Sequence, residues 1–273
     1  MKTLIINLAR ATDRMDFMRA QMADLGLQWE RLEAVTPQTL HPPADDPVWH
    51  RWQRPMRSTE MALCASHMAA WRRVIALGAP CLVLEDDALL SRRLPGFLDL
   101  LARIEGVDHI SIETRSRKKL VARGMHPSAP IRRLWQDRTG SAAYVVFPLG
   151  AKALLARAER AGAPSDALIS ATYAMRSFQA DPALSIQLDQ CRAYGLAPPI
   201  ETTSLIDAVG KPGLPETLPV AVRLGYRLRR IGAQLRMGAR HVARLGQAHR
   251  RAVRPADDLW DGLPGVQASR SDH

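Results

Sequence analysis

The chain has 273 residues, 47% of them hydrophobic, which suits one large folded domain with an extension and excludes a disordered chain. Aromatic residues make up only 5%, which argues against an all-β sandwich or a base-stacking sheet. The formal net charge is +11, of which residues 208–273 supply +7 and the remaining 207 residues +4, so the tail carries most of the attraction for a polyanion.

TLIINLA (3–9) predicts a β-strand and Asp13 to Leu25 a helix, with Met15, Met18, Met22 and Leu25 on one face and Gly26 as its stop. QWERLEAV (28–35) predicts a second strand, and this β-α-β start favours an α/β fold with a parallel sheet. Residues 36–57, rich in Pro, His, Asp and Arg, predict a loop over a site. A helix is expected from Ser58, its N-cap, with Glu60 in the first turn and an apolar stripe of Met61, Cys64, Met68, Trp71 and Ile75. Gly78-Ala79-Pro80 ends it.

CLVL (81–84) predicts a short buried strand that runs into Glu85-Asp86-Asp87, with a helix through residues 92–104. Strands are expected at 109–113, 141–147 and 185–188, a basic loop at 115–119, and helices at 151–161 and 165–175. A Pro-rich stretch follows to about Ile206, then a basic helix from Pro219 to about Val253. Cys64, Cys81 and Cys191 have neither zinc-site nor disulfide-ladder spacing; each reads as a small buried hydrophobe in a reducing compartment. The opening MKTLIINLAR does not read as an export signal. The longest uncharged run, residues 139–151, is well below the roughly 20 residues that span a bilayer. A cytoplasmic protein is therefore expected.

The three carboxylates at 85–87 pose the chemical question. Ligands of open α/β sheets bind beyond the carboxyl ends of strands. Three acids there repel one another, and partial burial adds to the cost. A divalent cation, Mn²⁺ or Mg²⁺, relieves this and is usually shared with a substrate's phosphates. The alternative is the solvated start of a loop.

Taken with its neighbours, the triplet belongs to an ordered series. Ile6, Asn7, Leu8, Arg10, Asp13 and Arg14 come first, then Glu60, Ser66, His67 and Trp71, then Leu84 to Asp87. Weaker matches follow at Thr139, Tyr144, Gly150, Ala151, Asp166, Tyr194, Pro198 and Pro199. Over residues 1–206 the chain resembles glycosyltransferase family 25, which includes lipopolysaccharide and lipooligosaccharide galactosyltransferases and the collagen galactosyltransferases. It departs from the family pattern at Ala62-Leu63, where a Gly-Cys pair is usual.

The resemblance implies a GT-A-like, nucleotide-sugar-binding mixed sheet flanked by helices. It divides the chain into a catalytic domain at 1–206 and a basic, partly helical extension at 207–273. It also implies transfer of a sugar, usually galactose, from a UDP-sugar donor to a hydroxyl of a lipopolysaccharide-type glycan or glycolipid acceptor, with inversion and metal assistance. In that reading Asp87 and Glu85 hold the metal, and Glu85 and Asp86 reach metal or donor ribose. Asn7, Arg10, Arg14 and Glu60 contact the donor, and Asp166 and His67 are catalytic, Asp166 as the base that takes the acceptor proton. The residues alone leave other roles open: Asp166 as a helix N-cap, His67 and Trp71 as core, Arg10 and Arg14 as surface ion pairs.

In the tail, Leu224, Leu228, Ile231, Leu235 and Val242 recur at helical spacing among Arg223, Arg227, Arg230, Arg236, Arg240 and Arg244, and no acid lies between Glu216 and Asp257. The region from Arg223 to Arg254 suits an anionic membrane surface on the inner face, or a helix packed on the domain with a solvated basic face. Nucleic acid is not expected, because zinc-finger spacing and RNP-type aromatics are missing. The remaining alternatives are a metal-dependent nucleotidyl- or phosphotransferase without a Gly-rich phosphate loop, a non-catalytic basic binding protein, and a family member that has lost activity at Ala62-Leu63.

Overall fold

The computed structural model describes residues 1–138, 140–200 and 218–260. Thr139, the 206/207 domain boundary and the Pro-rich stretch beyond residue 200 lie outside the described residues. The chain starts as expected, with β1 (Lys2–Asn7), α1 (Thr12–Asp24) and β2 (Trp29–Glu33). α2 (Ser58–Leu77) and β3 (Cys81–Glu85) follow. Ser58 opens α2 rather than capping it. The exposed-end N–H of Arg57 is held instead by Glu60 Oε2 at 2.9 Å. Gly78, at φ 63°, closes the helix in the left-handed region, where a side chain would be strained.

The next elements are β4 (Ala88–Leu90), α3 (Leu94–Leu100), β5 (His109–Ser111), β6 (Lys118–Ala122), β7 (Ile131–Gln136) and β8 (Ala143–Val146). They continue with α4 (Pro148–Arg160), α5 (Ser165–Ala171), β9 (Ser177–Ala180), β10 (Ser185–Gln187), α6 (Val220–Val242) and β11 (Ala248–Ala252). Nine of these strands form one sheet in the order β11-β6-β7-β9-β5-β8-β3-β1-β2, while β10 pairs with β4 in a separate ribbon. The sheet is mixed rather than parallel. β1 runs parallel to β2 and β3, but β8 is antiparallel to both β3 and β5.

The side-chain alternation of the central strands builds two cores. Ile5, Leu82, Leu84 and Val145 face α1, through Met15, Met18 and Met22, and α3. Leu4, Ile6, Val83, Tyr144 and Val146 face the other way, onto α2 and α4. All three cysteines are buried and free, as expected. Gly150 lets α4 lie against β5: a Cβ there would fall 2.1 Å from the Asp108 carbonyl oxygen.

Two expectations fail at the sheet edge. Residues 118–122, expected within or beside a basic loop, form β6. Its Lys119 is 2% exposed, with Nζ 2.7 Å from Asp137 and 2.6 Å from Gln179. The basic helix expected to reach Val253 ends at Val242. Gly246, at φ 88°, turns the chain, and residues 248–252 pair antiparallel with β6 as β11. Ala256 and Leu259 then join the core on the α1 side.

Candidate active site

β3 lies between a parallel and an antiparallel neighbour. Glu85, the last residue of β3, pairs in register with Ile6, so the ends of β1 and β3 open at the same edge. β8 arrives from the opposite direction, so the segment just before it, Ser141-Ala142, meets the same place; Glu85 N–H donates to the Ala142 carbonyl at 2.8 Å. Around this point is a cavity of about 450 Å³, within the roughly 300–1,000 Å³ usual for small-molecule sites.

Each of the three carboxylates has a different environment. Asp86 turns toward β1 and α1, accepting hydrogen bonds from Asn7 Nδ2 at 2.7 Å and Arg14 Nη1 at 3.0 Å. Burial raises its pKa despite Arg14 and Asn7. Asn7 is itself fixed by Arg31, whose Nε donates to Asn7 Oδ1 at 2.9 Å.

Glu85 turns the other way. Its Oε1 accepts from Ser141 Oγ at 2.7 Å and faces His67 Nε2 at 3.3 Å. Burial pushes this carboxyl up, but His67 and Ser141 outweigh it and hold the pKa below its ordinary value. A carboxylate can only accept, so His67 Nε2 carries a proton. His67 Nδ1 lies 2.9 Å from the Tyr144 hydroxyl, and Trp71 Nε1 donates to that same hydroxyl at 2.9 Å. The consistent arrangement is a chain from Trp71 through Tyr144 and His67 to Glu85. His67 and Trp71 are fully buried, so α2 supports Glu85 from behind.

Among the described residues the Asp87 side chain has one hydrogen bond, a long one, 3.4 Å from Gln187 Nε2. Burial, and then the charges of Glu85 and Asp86, push its pKa up to about 7. Of the three it is the carboxylate with the weakest hydrogen bonding.

The cavity brings together every residue given a catalytic, donor or metal role from the sequence except His67, which stands behind Glu85. Asn7, Arg10, Arg14, Glu60, Glu85, Asp86, Asp87 and Asp166 all line it. Arg10 stands exposed at its edge. Glu60 is already committed. Arg54 holds it through two hydrogen bonds of 2.7 and 2.8 Å, and Arg57 adds another, so its pKa falls to about 2 against the opposing effect of burial. Asp166 lies in the first turn of α5, one residue inside it, with Oδ1 accepting from Ala167 N–H at 2.6 Å; burial raises its pKa. Ala62 and Leu63 also line the wall, and Ser66 on the same helix holds the Val35 N–H at 2.8 Å.

Sequence reading missed several contributors. Arg54, Arg57, Arg115, Arg117, Ser141, Ser165 and Gln187 also line the cavity. Arg115 is bonded to Gln187 and lies 2.7 Å from Asp189. The RSRKK run was a visible signal for Arg115 and Arg117; nothing local marked Gln187 or Ser141. Gly140 is required by packing: at φ 109°, a Cβ would sit 2.7 Å from Glu113 Oε1. Glu113 receives the Ala142 N–H at 2.8 Å, and its pKa rises to about 8, chiefly through burial.

Among known proteins, a protein of Acanthamoeba polyphaga mimivirus named as a glycosyltransferase is 32% identical over 111 residues. The match covers 38% of this chain and 33% of that protein, so the chain spans about a third of the relative's length. The crystal structure of a glycosyltransferase involved in glycosylation of the major capsid of PBCV-1 aligns with 68% of this chain and 91% of that one. The identity there is 10% and the TM-score 0.40, a similarity that transfers no residue or substrate. Residues 1–169 match the family described as Glycosyltransferase family 25 (LPS biosynthesis protein). These residues include the β1, α2 and β3 motifs and the Asp166 helix start, and the chain belongs to glycosyltransferase family 25.

Proposed function

We propose that the chain transfers a hexose, with galactose the first candidate, from a UDP-sugar to a hydroxyl of a lipopolysaccharide-type glycan or glycolipid, with inversion at the anomeric carbon. The observation that carries this reading is Asp87. It is an under-partnered carboxylate at the end of a central strand, in a cavity that also presents Arg10, Arg14, Arg115 and Arg117. Arginines match diphosphate oxygens in a forked geometry, and Asp86, fixed by Asn7 and Arg14, would accept from a ribose hydroxyl.

The donor set fits a divalent cation that is shared with a substrate. Among the described residues no group of three or more His, Cys, Asp or Glu is arranged to hold a metal ion. Asp87 and the second oxygen of Glu85 would supply the protein ligands, leaving other positions to phosphate oxygens and water. When bound, Mn²⁺ or Mg²⁺ would neutralise charge on the leaving diphosphate.

In the reaction the acceptor oxygen bonds to the anomeric carbon as the bond to the diphosphate breaks on the opposite face. Asp166 takes the acceptor proton; burial raises its pKa in the direction a base working near neutral pH needs. His67, shut off from the cavity, acts through Glu85 as a positioning residue.

Thermal melting against a panel of nucleotide-sugars, with and without Mn²⁺, tests this. Ligand at a hundred times its Kd adds about 2.7 kcal/mol to the folded state. A metal-dependent rise with UDP-galactose or UDP-glucose, lost in Asp87→Ala, supports the reading. No rise with any donor in either metal state overturns it.

A further inference from the structure

α6 is placed the wrong way round for a helix that completes a core. Tyr226 and Ala233, 3% and 7% exposed, and Arg240 follow one another at seven-residue intervals and face the body. Arg240 donates to the Trp135 carbonyl at 3.1 Å and stacks 4.1 Å over the Tyr173 ring. Arg229 donates to the Trp52 carbonyl at 2.8 Å.

At 3.6 residues per turn, the opposite face, half a turn away, is Leu224, Leu228, Ile231, Leu235 and Val242. These side chains are 52, 59, 51, 69 and 64% exposed. The same geometry puts Arg227, then Arg223 and Arg230, to one side of the stripe and Arg236 to the other, while Arg229 turns to the body. No acid occurs between Glu216 and Asp257. Among the described residues no helix is long and apolar enough to cross a membrane. An outward apolar stripe with cationic flanks fits a surface that is apolar inside and anionic at its edge.

We propose that α6 is an interfacial helix that seats the protein on an anionic lipid bilayer, leucines in the acyl boundary and flanking arginines among the headgroups. Charge decides against a second copy of the chain, since stripe-to-stripe packing would set arginine flanks against each other. The stripe decides against nucleic acid, which gives five aliphatic side chains nothing to bury in. The seat bears on the cavity, because α6 rests on the segment that leads through Trp52 to Arg54 and Arg57, and on Trp135, shortly before Gly140. None of this rests on the sugar-transfer reading.

The test is flotation of the full chain with vesicles of phosphatidylcholine alone and of phosphatidylcholine with 30 mol% phosphatidylglycerol, at low and high salt. The protein should float with the anionic vesicles and much less with the neutral ones, and binding should weaken as salt screens the flanks. The pair Leu228→Glu and Leu235→Glu should abolish flotation without changing the melting temperature. The triple change Arg223→Ala, Arg227→Ala and Arg230→Ala should weaken partitioning on the order of a hundredfold. The proposal is overturned if the wild type stays unbound, or if the leucine pair floats as well as the wild type. It is also overturned if the pair converts a dimer into a monomer by light scattering, which assigns the stripe to a second copy. A drop in melting temperature for the pair overturns it too, by assigning the stripe to a contact within the chain.

Discussion

α2 and α6 are helices of 20 and 23 residues, and they use their apolar residues in opposite ways. In α2, Met61, Cys64, Met68, Trp71 and Val74 are all at most 4% exposed, because the sheet covers one side and α4 another. In α6 the aliphatic residues form the cleaner stripe, yet they face outward while Tyr226, Ala233 and basic residues hold the helix down. Periodicity therefore says that a helix has an apolar face, not what that face meets. In α2 burial also serves the site, since the helix that fills the core carries His67 to Glu85.

The largest difference should appear on truncating α2. Trp71→Ala removes a fully buried indole and the donor to Tyr144, and should cost about 3–5 kcal/mol in urea unfolding. A loss below about 1 kcal/mol would break the comparison. Activity should respond on a similar scale two residues beyond the Glu85 end of that chain of bonds. Asp87→Ala should lower sugar transfer at least about a hundredfold without lowering the melting temperature, because the carboxylate removed is repelled by Glu85 and Asp86.

At the start of α2, Glu60 contributes through charge. Its folded pKa of about 2 lies below the ordinary 4.5, so the unfolded chain takes up this proton first as pH falls. The stabilisation, about 3 kcal/mol, is complete above pH 4.5 and is lost as pH drops toward 2. Glu60→Gln should be less stable than wild type by about this amount near neutrality, and the two unfolding curves should converge in acid. The smallest effect belongs to α6: Leu228→Glu with Leu235→Glu should change unfolding free energy by no more than about 0.5 kcal/mol and transfer to a soluble acceptor less than twofold.

What could be read from the sequence followed how local the cause was. β1, α1, α2 and β3 announced themselves because runs such as LIIN and CLVL and the Met15-Met18-Met22 stripe need no distant partner to be recognised. Asp86 and Asp87 stood out because three adjacent acids after an apolar strand are costly without a cation. β6 was hidden because Lys119 is buried through Ser111 and Gln179 of other strands, Asp137 just after β7 and the Glu113 carbonyl. β11 was hidden inside an arginine-rich pattern that continued the helix, although Gly246 marked the turn. Ser141 and Gln187 reach the cavity by topology alone, and Arg54 does so by pairing with Glu60.

The reversal of strand direction at β8 also bears on how the protein becomes active. The hydrogen bonds that shape the carboxylates join residues 79, 72 and 56 positions apart, from Asn7 and Arg14 to Asp86 and from Ser141 to Glu85. Contacts of such long sequence separation form slowly, because chain closure must precede their gain. Helical signal should therefore return early in refolding, while catalytic competence waits until β8 has docked against β3. A truncated chain that ends before residue 141 would keep all three acids and still lack the donor that orients Glu85.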